Sequence, residues 1–412
     1  MSGQIAAADA PLLVQLAHHL QRPVDEATRQ RARLHLLDWL ACVAGARQAA
    51  VKPFAFDANI ASTAALLGNV LEMDDVHRLG RLHPGPVVWC SIVADYEAGL
   101  DAWLDAAVRG YEAMIGVGAT FDDWHYAHFH PTSTAGLFGA AAAVASLQEC
   151  DVSETAHALG LAGSVTGGLW QMRHEDTMAK QWHVANAMVS GGSTAVWARR
   201  GMTGPLSLLE GPQGLYAATC RAPKPMLFGP GWRIEEVSFK PWAACRHAHP
   251  VIDCALELRA AGRLAAPFHV ETYADALAFC DKPHPTTDVE AKFSLQHAVA
   301  VIADGRNATP ADFTPEAITA LAPLRRQVTV AEDPAITARY PAHFGARLNG
   351  LELVDCRGDP ERPVTEADII AKMHMLANWG GLPPSEADRA ADLALHGNDA
   401  AAVVAMLDKW LK

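Results

Sequence analysis

A chain of 412 residues is longer than one compact core accommodates and is expected to fold as two or three domains. Half of it is hydrophobic and only 19% is charged, which excludes an intrinsically disordered chain. The formal charge of -13, from 33 basic against 46 acidic residues, argues against nucleic-acid and anionic-membrane partners, because both reward a basic face.

The N-terminal MSGQIAAADAPLLVQLAHHL has neither the basic leader nor the long apolar run of an export signal. With no stretch of about twenty apolar residues, no membrane span is expected and the default location is the cytoplasm. PVDEATRQRARLHLLDWLACVAGA, residues 23–46, places Ala32, His35, Leu36, Trp39, Leu40 and Val43 on one helical stripe. HPGPVVWCSIVADYEAGL and AGLFGAAAAVASLQE continue the pattern with small residues, which lets helices pack closely. DVSETAHALGLAGSVTGGL offers Ser153 as the N-cap of the next helix, and AKQWHVANAMVSGGSTAVWARRGMTGP reads as a helix stopped by glycine.

Prolines and glycines cluster in RAPKPMLFGPGWRIEEVSFKPW and set a boundary near residue 232. Beyond it HVETYADALAF, RQVTVAED and ARLNGLELVDC look like strands, interleaved with helical runs such as AKFSLQHAVAVIADG. The tail from Ser385 reads as helix again. The expected fold is mainly α: a large all-helical domain over 1–232, completed by 371–412, and a smaller α+β lid domain over 233–370. Cys42, Cys90, Cys150, Cys220, Cys245, Cys254, Cys280 and Cys356 form no C-x-x-C pair, which disfavours a zinc knuckle or redox dithiol and suits small buried hydrophobes of a reducing compartment.

The chain has no G-x-G-x-x-G opening a helix after a strand, no Walker A sequence and no G-x-S-x-G elbow. Four other stretches concentrate reactive side chains. GNVLEMDDVHRLGRLHPG holds Glu72, Asp74, Asp75, His77, Arg78, Arg81 and His83 between turn signals. FDDWHYAHFHPTSTAG holds Asp122, Asp123, His125, His128 and His130; its H-x-x-H-x-H spacing fits no zinc site, and proton transfer by a histidine ahead of a helix N-terminus at Thr132 is the simpler reading. MRHEDTMAKQWHVANA sets Lys180 in an otherwise apolar helix, where it either snorkels to the surface or enters a cleft. SFKPWAACRHAHPVIDCALEL puts Lys240, Arg246, His247 and His249 at or before a helix with Pro250 in its first turn, a local positive field suited to a small anion.

These stretches, in this order, resemble the MmgE/PrpD family, which includes 2-methylcitrate dehydratase, cis-aconitate decarboxylase and iminodisuccinate epimerase. LLDWLACVAGA, FHPTSTAGLFGAAAA, ALGLAGSVTGGL, FKPWAACRHAHPVIDCAL and AKFSLQHAVAVIADG extend the likeness over nearly the whole chain. The resemblance implies a homodimer whose protomers carry an active site between helical domain and lid, acting on a small di- or tricarboxylate with no metal or organic cofactor. It assigns proton transfer and catalysis to His83, His130, Lys180 and His249. Substrate binding is expected from Lys240, Arg246, Asp75, His77, Thr132 and His297. Three places depart from the family pattern: Glu72-Met73-Asp74-Asp75-Val76-His77 stands where Asp-Phe-Asp-Asp-Thr-His is frequent, Cys245 replaces a histidine of the decarboxylases, and His297 replaces a tyrosine. The expected activity is a dehydratase-like lyase, with an imino- or amino-acid epimerase second and a non-catalytic carboxylate-binding protein third.

Overall fold

Short polar side chains decide where the helices begin. Asp25 accepts from the Thr28 amide at 2.8 Å and Asn59 from the Ser62 amide at 3.2 Å, each satisfying a donor that the first helical turn leaves over. The computed structural model describes residues 10–55, 59–93, 98–175 and 177–412. Residues 1–9, on which the export-signal reading partly rests, lie outside them. Two units emerge, one of 1–70, 80–237 and 369–412, the other of 71–79 and 238–368. The second takes in the acidic segment Leu71–Leu79, which the sequence boundaries leave with the helices.

The first unit contains α1 (Leu12–Leu20), α2 (Glu26–Ala46), α3 (Ile60–Leu67), α4 (Gly85–Ile92), α5 (Leu100–Gly118), α6 (Asp123–His128), α7 (Pro131–Leu147), α8 (Val152–Gly163), α9 (Ala179–Arg199) and α10 (Leu215–Thr219). Its C-terminal helices Pro384–Leu395 and Ala400–Leu411 pack on α2 and α3. The cap of α8 is Asp151 rather than Ser153: its carboxylate accepts from the Glu154 amide while Glu154 bonds back to the Asp151 amide, a reciprocal capping box that leaves Ser153 inside the first turn. α9 ends as expected, with Gly201 at φ +91 just past its C-cap.

α7 is the central helix, packed between α5 and α9 and also touching α4 and α8. Its small side chains let backbones meet. A Cβ added to Gly110 of α5 would lie 3.0 Å from the Gly139 carbonyl of α7, and one added to Gly191 of α9 would lie 2.4 Å from the Leu137 carbonyl. Elsewhere in the unit the fully buried Trp39, Trp89, Trp103, Trp410 and Tyr111 supply bulk, with Trp39 and Trp89 stacked at 6.5 Å.

The second unit holds α11 (His249–Ala260), α12 (Ala274–Cys280), α13 (Asp288–Lys292), α14 (Leu295–Ala303) and a four-stranded sheet. Its strands β1 (Phe268–Thr272), β2 (Val328–Glu332), β3 (Ala346–Leu348) and β4 (Leu351–Leu353) run in the order β2-β1-β3-β4, parallel between β1 and β2 and antiparallel elsewhere. Asn349 and Gly350, both at positive φ, make the two-residue turn joining β3 to β4. α11 packs on β3 and β4, and α14 on β2. Of the segment HVETYADALAF only the front half is strand; the alanine-rich remainder coils into α12.

The chain is mainly α, with a smaller α+β part. Among the described residues no helix is long and apolar enough to cross a membrane. The eight cysteines, all among the described residues, form no disulfide, and all but the half-buried Cys220 are buried. Because the Leu137 carbonyl cannot retreat without breaking α7, Gly191→Ala should destabilise the protein by about 1–3 kcal/mol, read as a lowered midpoint of urea unfolding.

Candidate active site

In the helical unit the site residues gather at the start of α7. Pro131 occupies its first turn, where an absent N–H costs nothing, and this makes His130 the N-cap with an extended backbone. The His130 amide donates to the Gly168 carbonyl at 2.8 Å. Its ring is buried, packs 4.5 Å from Trp170 and places Nδ1 3.2 Å from Nδ1 of His183. His183 lies half-buried at the start of the second turn of α9, where burial lowers its pKa. Lys180, also half-buried, precedes it by three residues and so shares its helix face. Thr132 is fully buried, and its hydroxyl accepts from the His83 amide at 3.1 Å, tying the loop before α4 to the first turn of α7. That turn presents backbone amides and the positive end of the helix dipole.

Gly168 shapes the opposite wall. At φ +96 its conformation suits glycine, and a Cβ there would lie 2.4 Å from the Ser133 side chain and 3.5 Å from His183 Nδ1. The loop can therefore lie directly on the two helices. Arg81, itself at positive φ, pairs with Asp123 at 3.0 Å and covers the Tyr126 ring at 4.0 Å.

The remaining histidines of FDDWHYAHFHPTSTAG take separate environments. Nδ1 of the exposed His128 donates to the Trp124 carbonyl at 2.8 Å. His125 is buried, stacked 3.8 Å from Phe121 and 5.0 Å from Phe129. The Thr219 hydroxyl spends its proton on the Leu215 carbonyl and so accepts from His125 Nδ1–H at 3.0 Å. Burial, opposed by the Asp122 charge, pushes the His125 pKa down to about 4. The three rings of the H-x-x-H-x-H run thus serve three different partners.

In the α+β unit the cations are internally paired. Lys240 is fully buried, with Nζ 3.1 Å from Asp74 Oδ1 and 3.9 Å from Glu72 Oε2. Arg246, also buried, pairs with Asp359, whose carboxylate accepts in addition from the Ser238 hydroxyl at 2.6 Å and the Cys356 amide at 2.9 Å. Asp75 and His77 are buried on the same segment as Asp74. That segment is bridged at Val76 to Ser238, and Arg78 binds Asp355 at 3.1 Å. His249 opens α11 and donates through Nε2 to the Ala244 carbonyl at 3.1 Å, which leaves the lone pair on Nδ1. His247 stacks on Phe279 at 4.7 Å and contacts the Tyr273 hydroxyl at 2.7 Å.

Both ring nitrogens of His297 are engaged. Nε2–H donates to the Asp312 carbonyl at 2.8 Å, and Nδ1 accepts from Arg325 at 3.2 Å. Burial, aided by the Arg325 charge, holds its pKa down at about 4 against the opposing pull of Asp312.

The structure therefore joins His83 with Thr132, and His130 with the α9 face that carries Lys180, in the helical unit. It places Lys240, Arg246, Asp75, His77, His249 and His297 in the α+β unit. Sequence reasoning passed over His183 and gave no pairing role to Asp74 or Asp359. The signal for His183 was its spacing of three from Lys180 on one helix.

Fold and clusters together define a mainly helical protein with buried imidazoles in both units and internally paired cations in the α+β part. Residues 54–227 match the MmgE/PrpD N-terminal domain and residues 242–397 the MmgE/PrpD C-terminal domain. The chain belongs to the MmgE/PrpD family. It is 28% identical over 195 residues to human (Homo sapiens) cis-aconitate decarboxylase and 27% identical over 198 residues to the mouse (Mus musculus) protein of that name. Each match covers 44% of this chain and 40% of the relative's length.

His125 and His297 make a pH-linked stability prediction. Their folded pKa values near 4 lie below the unfolded value of about 6.5. Above pH 6.5 the two rings are neutral in both states. As pH falls from 6.5 towards 4 the unfolded chain takes up protons that the folded one declines, removing about 2–3 kcal/mol per ring. Urea midpoints measured between pH 7 and pH 4.5 should fall accordingly, and less steeply in His125→Phe.

Proposed function

We propose that this protein is a cofactor-independent lyase that abstracts a proton next to a carboxylate of a small di- or tricarboxylate, in the manner of a 2-methylcitrate dehydratase. The observation that carries this reading is the imidazole pair at the N-terminus of α7, the buried His130 against the half-buried His183, with a lysine one turn away on α9. Carbon next to a carboxylate is a very weak acid, so its proton leaves only if the developing enediolate is stabilised. Lys180 and the first-turn amides of α7 supply positive charge for that purpose. His130 acts as the base, since a neutral imidazole has a pKa matched to neutral pH. Loss of a β-hydroxyl, protonated by a second group, completes dehydration. Membership of the MmgE/PrpD family and the name shared by the two relatives support lyase chemistry on a carboxylate. His83, Lys240 and His249 enter the proposal through the family resemblance, with Lys240 as a carboxylate-binding cation.

The second reading is epimerisation of a dicarboxylic imino or amino acid, favoured by the surplus of imidazoles, His83 and His183 accompanying His130 in the helical unit. One experiment separates the outcomes. The protein is incubated in deuterated water with 2-methylcitrate, citrate, cis-aconitate and iminodisuccinate, and products are followed by NMR. Loss of water is expected; deuterium exchange with inversion would select the epimerase, and binding without exchange a non-catalytic carboxylate-binding protein. In the same assay His130→Ala should reduce kcat by about 10²–10⁴-fold, whereas Lys180→Ala and Lys240→Ala should chiefly raise KM. Unchanged kinetics in all three variants would refute the assignment.

The proposal includes a homodimer. Trp182, Val189 and Trp197 recur on one side of α9 and are each about half exposed, an apolar face that a second copy would cover. Sedimentation should give twice the 44.0 kDa chain mass, and Trp197→Glu should shift it towards the monomer.

A further inference from the structure

We infer that His183 extends His130 into a two-ring proton relay, joining the buried imidazole to the solvent side of α9. This rests on the reading of His130 as the base.

The inference starts from which atoms meet. The two rings approach through Nδ1 on both sides, 3.2 Å apart. Two lone pairs would repel and so would two N–H groups, so one Nδ1 carries hydrogen and the other accepts it. In the neutral pair the donating ring then keeps its lone pair at Nε2, while the accepting ring carries its hydrogen at Nε2. One outer edge is a base and the other an acid.

The step balances without an oxidant or co-reactant. The substrate C–H bond breaks, its electron pair stays on the enediolate, and the proton forms a bond to His130 Nε2. His130 Nδ1–H passes its proton to His183 Nδ1, and His183 Nε2–H releases one to water. Both rings end neutral with their tautomers exchanged; the reverse transfer resets them, His183 Nε2 taking a proton from water while His130 Nε2–H gives its own, through the departing water, to the group that protonated the β-hydroxyl.

Burial gives the relay its direction. His130 is 1% exposed, whereas His183 is only partly buried. The surroundings hold both rings and favour the uncharged resting pair. Trp170 packs on His130, and glycine at 168 leaves His183 Nδ1 room that a larger residue would narrow. Lys180 precedes His183 on the same helix face, and Arg173 lies over Trp170 at 5.4 Å, so an imidazolium would meet like charge from both the helix and the 170–174 turn. Burial itself lowers the His183 pKa, which also favours the uncharged ring. A contact needed only to tie α7 to α9 would not require one ring to be buried and the other to reach water.

Two measurements test the relay. The first needs no substrate: ¹⁵N spectra of histidine-labelled protein near pH 7 should show His130 and His183 in opposite tautomers sharing one Nδ1–H–Nδ1 bond. Both rings protonated at Nε2 would overturn the proposal, and would do so whatever carboxylate the protein acts on. The second compares His183→Asn, whose side-chain amide can keep the hydrogen bond to His130 but cannot carry a proton through, with His183→Phe. Both are expected to lower kcat by about 10–100-fold with KM within twofold, and in deuterated water to return more of the abstracted hydrogen to substrate. Wild-type kcat and solvent exchange in His183→Asn would reduce His183 to a positioning residue and sink the relay. If the protein turns over none of the carboxylates, the proposed function fails while the spectra still decide the pairing.

Discussion

The contact of α7 with α5 and α9 is the constraint on which the helical unit depends. Backbones approach there closely enough that single Cβ atoms at Gly110 or Gly191 would collide with carbonyls of the neighbouring helix. The same closeness brings the N-terminal ends of α7 and α9 together, so that a histidine ahead of one helix meets a histidine on the other. Pro131 contributes by setting the first turn of α7 at residue 131, which makes His130 the N-cap: its carbonyl accepts from the Ser133 and Thr134 amides while its own amide bonds the Gly168 carbonyl. Packing of small residues and placement of reactive side chains are one fact here: a wider helix spacing would separate the imidazoles beyond hydrogen-bond reach.

The α+β unit is organised differently, through charge in a dry interior. Lys240 with Asp74, and Arg246 with Asp359, place opposite charges in contact where water is excluded. Desolvation of such groups is expensive; Glu72 adds a second carboxylate 3.9 Å from Lys240, and the Asp359 carboxylate also binds Ser238 and Cys356. These bonds hold the segment Leu71–Leu79 to the turn before α11, so residues far apart along the chain share one local structure. The positive field that the sequence suggests around Lys240 and Arg246 is in this structure largely balanced by carboxylates from the acidic loop and from the 356–359 turn.

Much of this was legible from the residues alone. Helical periodicity and small-residue content announced the bundle, ARLNGLELVDC announced strand at β3 and β4 but not the turn between them, and Pro250 announced the start of α11. What escaped notice depended on partners distant in sequence or on rival local signals. Ser153 and Asp151 are both good caps, and only the reciprocal bond with Glu154 decides between them. HVETYADALAF alternates like a strand at its front, but alanine content governs its second half. His183 was hidden because its neighbours Trp182 and Val184 read as apolar helix, and its contact lies fifty-three positions away at His130. Asp74 and Asp359 likewise look like surface acids until the fold supplies Lys240 and Arg246.

The Arg246–Asp359 pair also bears on how this sequence can change over time. Removing either member alone leaves a buried charge unmatched, at a cost of about 3–5 kcal/mol, a large share of the stability of an ordinary domain. Replacing both with apolar residues of similar volume is far milder. Descendants of this chain that lose the pair must therefore lose it nearly at once, or pass first through a compensating gain elsewhere, so the two positions form a mutational ratchet: simple to retain, and hard to leave one step at a time.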